Sequence, residues 1–434
     1  MSQPREDSPS RAFATTGFRD RVAGAEEADR VTGEFSVMRA AIWLLSLTGF
    51  AAGFAGSGAA APYEPAPSFT ARQVLPASLL NSPYYKVQSR VGMENYQYVF
   101  NVDTQWGTYR IVGTTLLRVR AREMEATAKL QEIGGAETLV DAAGRTVLKP
   151  LGTAKGLVTA PGKTIGDTFK GVGNFFGGIK AGMQATDPRK EGIVASVTGG
   201  AAARRKLAFD LNVDPYTSFK PLDEELTRLA TASAIGNTGV NVGLSFVTGG
   251  ASIAISATST SQKLREALRD KTAAQLEQTG REFLTAMGVS EAAQDAFYAN
   301  AHLTPTDKAV IVVALKTLGT VSGRQIYVET AAQASSIEMA FYYRRQSELI
   351  ANYNKKVAPV SGVIRAGRAP MIQTAKGTVS ILPVDYLYWS APIEQLASNG
   401  RGQMWLTGTA SSRATQQLGA KGWKLSTKVG GKLD

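Results

Sequence analysis

The chain has no cysteine and a single histidine, His302, among 434 residues. The absence of thiols excludes a disulfide framework, a thiolate nucleophile, an iron–sulfur cluster and every cysteine-based zinc site. One imidazole cannot build a histidine-rich metal centre. His302 sits in a short loop just before a helix cap, with no nearby serine in a nucleophile-elbow context, so it reads as structural. The expectation is therefore no metal, no cofactor and no catalytic residue that can be named. Long apolar runs are also scarce, with one conspicuous exception near the start of the chain.

Charge is not scarce, but it is one-sided. The net charge is +12, from 48 Lys and Arg against 36 Asp and Glu. Residues 1–61 hold six basic and seven acidic side chains, so the surplus lies beyond them. From Lys355 onward eleven basic residues face only Asp385, Glu394 and Asp434. Such a balance speaks to partners and not to fold. In an exported chain it points to lipid headgroups or a cell-wall polymer, and not to nucleic acid. The alternative is an ordinary solvated basic face.

Export is the reading of the apolar exception. No charge occurs from Ala40 to Tyr63, and Ala41-Ile42-Trp43-Leu44-Leu45 opens a run of signal-peptide length. Met38-Arg39 supplies a short positive flank, and Ser57 to Ala61 are small enough for cleavage, favoured after Ala59. Residues 1–37 then read as a polar leader with a misassigned start. An uncleaved inner-membrane anchor over 40–61 is the alternative, but the strongly apolar part is shorter than the roughly 20 residues of a span.

The remainder predicts an α+β fold with a predominantly α-helical body, a small N-terminal antiparallel meander and a small C-terminal α/β unit. Residues 62–83 hold five prolines and read as a linker. The β-rich segments Tyr84–Val91, Tyr96–Val102 and Gln105–Val112 predict the meander, with Phe100 and Trp106 on its apolar face. A helical body follows over 114–355. Within it Thr304-Pro305-Thr306-Asp307 predicts a helix start, with threonine as cap and proline at the first position. The last helix, from Gly323 to about Tyr353, should bury Ile337, Phe341, Leu349 and Tyr353 and leave Arg344-Arg345 solvated. In the basic tail, 356–434, short strands at Val360–Ala366, Met371–Thr374, Thr378–Leu382, Met404–Leu406 and Lys424–Val429 flank a helix at Ser411–Leu418. Trp423 is expected to close that core. Tyr386, Tyr388, Trp389 and Trp405 are core aromatics or, alternatively, a binding surface.

Two segments of the body carry surface-seeking patterns. Over 153–183, Ile165, Phe169, Val172, Phe176, Ile179 and Met183 recur at helical spacing amid glycine. Glycine costs a helix about 1 kcal/mol per residue relative to alanine, so this stripe needs a surface to lie on, either the protein core or a lipid interface. Over 229–262 there is no charge between Leu229 and Gln262, and Gly239 and Gly243 allow close helix packing, as a buried core or as a membrane hairpin. Nucleotide motifs fail: Gly162-Lys163-Thr164 has Leu157 where a phosphate loop needs glycine, and Gly171 and Gly173 lack the dinucleotide spacing. Asp223-Glu224-Glu225 opens a helix, where acids are expected from the helix dipole.

At Tyr84-Tyr85-Lys86-Val87 through Thr114 to Arg120, at Lys155 to Pro161, and at Leu226-x-x-Leu229-Ala230, the chain resembles a group of uncharacterised exported proteins of Gram-negative bacteria. The likeness covers most of the mature chain and its motifs are structural. It implies a periplasmic or envelope location and carries no assigned activity. The functional expectation is a non-catalytic envelope protein that meets a membrane surface or envelope polyanion through the 153–183 stripe, the basic tail residues Arg413, Lys421, Lys424 and Lys428, or both. The alternatives are a secreted pore-forming protein using 229–262 as a hairpin, and a cell-wall hydrolase working through paired carboxylates.

Overall fold

Alternation of apolar and polar residues builds the first sheet. In strand Gln97–Thr104, Tyr98, Phe100 and Val102 are buried while Asn101 between them is exposed. This strand pairs antiparallel with Gly107–Val112 on one edge, and with Tyr85–Val87 and Arg90–Glu94 in succession on the other. The turns fall at Asn95-Tyr96, both with positive φ, and at Gln105-Trp106 before Gly107. They lie a few residues from the expected ones, because hairpin geometry demands the left-handed region and asparagine tolerates it. The structure is a computed structural model that describes residues 62–135, 199–235, 262–366, 369–398 and 400–434. All of them belong to one compact unit, Ala60–Asp434.

We label the helices used below in chain order: α1 (Ala71–Val74), α2 (Ala77–Leu80), α3 (Thr114–Gly135), α4 (Gly199–Asp210), α5 (Lys220–Ile235), α6 (Gln262–Asp270), α7 (Ala273–Ala286), α8 (Glu291–Ala299), α9 (Pro305–Thr317), α10 (Arg324–Ala331), α11 (Ile337–Lys356), α12 (Ala391–Ser398) and α13 (Ser412–Ala420). Helices α3, α4 and α5 close over the first sheet, with Leu117, Met124, Leu130, Leu222 and Leu226 fully buried against it. The start of α9 is as the sequence predicts. Thr304 caps it, Pro305 occupies its first turn, and the Asp307 carboxylate accepts from the Thr304 N–H and hydroxyl at 3.0 and 2.9 Å.

A second sheet of five strands lies at the C-terminal end, in the order Trp423–Ser426, Gly402–Leu406, Gly377–Leu382, Ala369–Thr374, Val360–Ala366. The first three run parallel and the last three antiparallel. One face packs with α9 and α11 through Ile372, Val379, Ile381 and Trp405. The other packs under α12 and α13 through Met371, Leu382, Met404 and Trp423. Burial on both faces explains why its central strands read as continuous apolar runs. The chain is thus α+β with an N-terminal antiparallel sheet.

Three findings differ from the sequence expectation. Residues 62–83 carry two short strands and the single-turn helices α1 and α2. Glu64 is pinned there: its carboxylate accepts from the Ser411 hydroxyl at 2.6 Å and from the Trp389 N–H at 2.5 Å. Helix α11 also departs from a one-sided pattern. Ile337 is 38% exposed, whereas Arg344 and Arg345 are 8% and 4% exposed. The helix is covered on nearly all sides from Tyr343 to Ile350, so its interior must accommodate charge, and each arginine is matched by buried acids. Finally, the helix expected from Gly323 to about Tyr353 is two, α10 and α11; Trp389 and Trp405 are core aromatics, as expected, while Tyr386 and Tyr388 are half-buried.

Candidate functional site

The site begins where α4 ends. Asn212 takes a left-handed conformation, the Asn212 N–H reaches the Phe209 carbonyl and the Val213 N–H reaches the Ala208 carbonyl. This is the double hydrogen bond of a Schellman stop, with asparagine at the position that needs positive φ. Asp214-Pro215 then prevents the helix from resuming, and the Asp214 carboxylate accepts from the Tyr216 N–H at 2.8 Å. The resulting loop leaves an open cleft of about 100 Å³ between α3, α4 and α6, floored by Thr306 and Arg344.

Five arginines line it: Arg122 from α3, Arg205 from α4, Arg265 and Arg269 from α6, and Arg344 from α11. Arg269 forms a two-pronged pair with Asp270 on the rim. Arg344 sits 3.3 Å from Asp307 and 3.7 Å from Asp214. Arg122, Arg205 and Arg265 pair with no carboxylate among the described residues. Arg205 donates to the Arg269 carbonyl at 3.0 Å, and Arg265 to the Phe209 carbonyl at 3.1 Å. The Nε groups of Arg122 and Arg344 are buried without an acceptor. The guanidiniums of Arg265 and Arg269 lie 5.0 and 4.6 Å from the centre of the Phe209 ring, an attractive cation–π placement.

Burial lowers the basicity of Arg122, against the pull of Glu125 and with added repulsion from Arg265, and burial lowers Arg265 against the pull of Glu266. Both remain charged at neutral pH, since arginine keeps its proton in proteins. Two carboxylates also line the cleft. Glu123 accepts from Arg120 and Thr217, and Asp214 from Thr306 and Tyr216. Burial raises Asp214 above the ordinary carboxylate range, while Arg344 pulls it down. Both acids are thus already engaged by protein donors. Among the described residues no group of three metal-binding side chains occurs.

Of these arginines the sequence singles out Arg344 alone, and as a solvated charge; the other four resemble ordinary solvated charges. One signal was available: Arg265 and Arg269 stand one turn apart on a single helix face, and like charges at that spacing cost a helix a few tenths of a kcal/mol. Of the sequence-derived candidates, Ile165, Phe169, Val172, Phe176, Ile179, Met183, Gly239 and Gly243 lie outside the described residues, as does the export segment up to Ala61. The basic tail residues fall on α13 and the strand and loop after it. Arg413 donates to the Pro62 carbonyl at 2.7 Å, and Lys421 is 3.3 Å from Glu394. Lys424 and Lys428 are exposed. His302 is exposed in the loop between α8 and α9. No described helix is long and apolar enough to cross a membrane. No family model, curated protein or solved structure matches the chain.

Proposed function

We propose that the protein is an exported, non-catalytic component of the cell envelope that holds an anionic ligand in the arginine-lined cleft. The observation that carries this reading is the set of three guanidiniums, Arg122, Arg205 and Arg265, gathered in one cleft with no carboxylate in ion-pair contact among the described residues. Gathering like charges in a partly buried site is costly unless an anion completes it. The charge-free segment from Ala40 to Tyr63 and the resemblance to exported Gram-negative proteins support the location. Envelopes are rich in anionic headgroups and polymers, which suits both the cleft and the exposed Lys424 and Lys428. Because Glu123 and Asp214 are held by protein donors, binding is favoured over acid–base chemistry in this cleft.

Two measurements test the proposal. Fractionation of cells expressing the full chain, with N-terminal sequencing of the recovered protein, is expected to place it outside the cytoplasm and beginning at Ala60. A full-length cytosolic protein would refute export. Titration calorimetry at low ionic strength against a panel of anions is expected to give saturable heat that fades with added salt, as screening requires. No heat with any anion would refute the binding role.

A further inference from the structure

We infer that the cleft takes a phosphomonoester: a terminal phosphate carried either on a lipid headgroup or on a small soluble organic phosphate. The inference rests on the anion-binding reading and adds the chemical class of the ligand. Charge matching comes first. Glu123 is balanced by Arg120, and Arg269 by Asp270. Asp214 and Asp307 together exceed Arg344 by one negative charge. Arg122, Arg205 and Arg265 add three positive charges, against which Glu125 and Glu266 act on Arg122 and Arg265 from beside the cleft. In the lining itself five arginines stand against Glu123 and Asp214. A phosphomonoester, with about −1.5 to −2 at neutral pH, offsets more of that excess than a carboxylate or a phosphodiester with one charge.

Donor geometry points the same way. A single guanidinium satisfies a carboxylate with two parallel hydrogen bonds, whereas a terminal phosphate offers three acceptor oxygens and calls for several forks. Here the forks come from three helices, and the Arg265 guanidinium lies 5.0 Å from the centre of the Phe209 ring. Arg205 and Arg344 are each 8% exposed, and the Arg344 Nε has no acceptor. These are donors fixed in the cleft wall and not mobile surface side chains. Size supplies the third constraint. About 100 Å³ is well below the roughly 300 to 1,000 Å³ of pockets that enclose a whole drug-sized ligand. Only the charged terminus enters, and the organic part stays outside the cleft.

The test is titration calorimetry of the full chain with glycerol 3-phosphate, inorganic phosphate, dimethyl phosphate and acetate. It is joined by co-sedimentation with phosphatidylcholine vesicles containing phosphatidic acid or phosphatidylglycerol. Glycerol 3-phosphate is expected to bind at least about tenfold more tightly than dimethyl phosphate or acetate. Its affinity should rise as pH is raised through about 6, where the second proton leaves. R122Q and R265Q should each weaken it at least about tenfold with an unchanged thermal midpoint. Selective sedimentation with phosphatidic acid assigns the lipid source. Binding of glycerol 3-phosphate without it assigns the soluble source. Equal affinity for monoester and diester, or indifference to both R122Q and R265Q, overturns the inference while anion binding itself survives. Silence toward every anion removes both.

Discussion

Asp385 is the residue on which the two ends of the chain meet. One carboxylate oxygen accepts from the Tyr98 N–H at 2.9 Å and the Thr114 N–H at 3.0 Å, joining the first sheet to the start of α3. Nothing local announces this, since Asp385 lies 271 residues from Thr114. Deleting the acceptor strands two buried donors, so D385A should cost about 2 to 4 kcal/mol in chemical denaturation. D385N keeps an acceptor oxygen and should cost under about 1 kcal/mol; equal losses in the two variants would contradict the role given to the hydrogen bonds. Burial raises Asp385 above the ordinary carboxylate range, against the pull of the two N–H donors. A raised acid binds its proton more readily folded than unfolded. Its contribution is therefore complete below the ordinary pKa near 4 and is lost as pH rises through the folded value. D385N should flatten the fall in thermal midpoint that begins as pH rises above about 4 in the wild type. The same logic of buried partners applies to Arg344. R344A leaves Asp214 and Asp307 buried with no counter-charge and should cost about 3 to 5 kcal/mol.

Helices differ in how far their sequence announces them. The capping box of α9 was legible because its chemistry is confined to Thr304, Pro305 and Asp307. T304A should cost about 1 kcal/mol, measured by denaturant midpoint. The central strands Gly377–Leu382 and Gly402–Leu406 were legible because double burial writes itself as an apolar run. Helix α12 was missed: Ala391-Pro392-Ile393-Glu394 carries a proline in its first turn, which reads as a loop until the sheet beneath it is known. Helix α11 was misread for a different reason. Periodicity identifies one buried face, and a helix enclosed on all sides has none to identify. The arginine cleft stayed hidden because its members come from helices distant in sequence. Close backbone approach was equally invisible: a Cβ on Gly408 would strike the Asp385 backbone, which cannot yield as a flexible side chain would. G408A should therefore destabilise the junction between the two sheets by more than the about 1 kcal/mol typical of a point substitution.

Across the molecule, apolar packing and charge divide the labour. Three buried clusters join the first sheet to α3 to α5, the helical body to one face of the second sheet, and the other face to α12 and α13. W423A, deep in the third cluster, should cost about 3 to 5 kcal/mol. Charge accumulates where helices meet without apolar filling, and in the cleft between α3, α4 and α6 it accumulates with one sign. The account stands on that imbalance being a binding site. Titration calorimetry of the full chain with inorganic phosphate at low ionic strength, wild type beside R122Q and R265Q, tests it most directly. The account predicts saturable binding weakened at least about tenfold in each variant. Binding of equal strength in all three proteins, or none in the wild type, would contradict it.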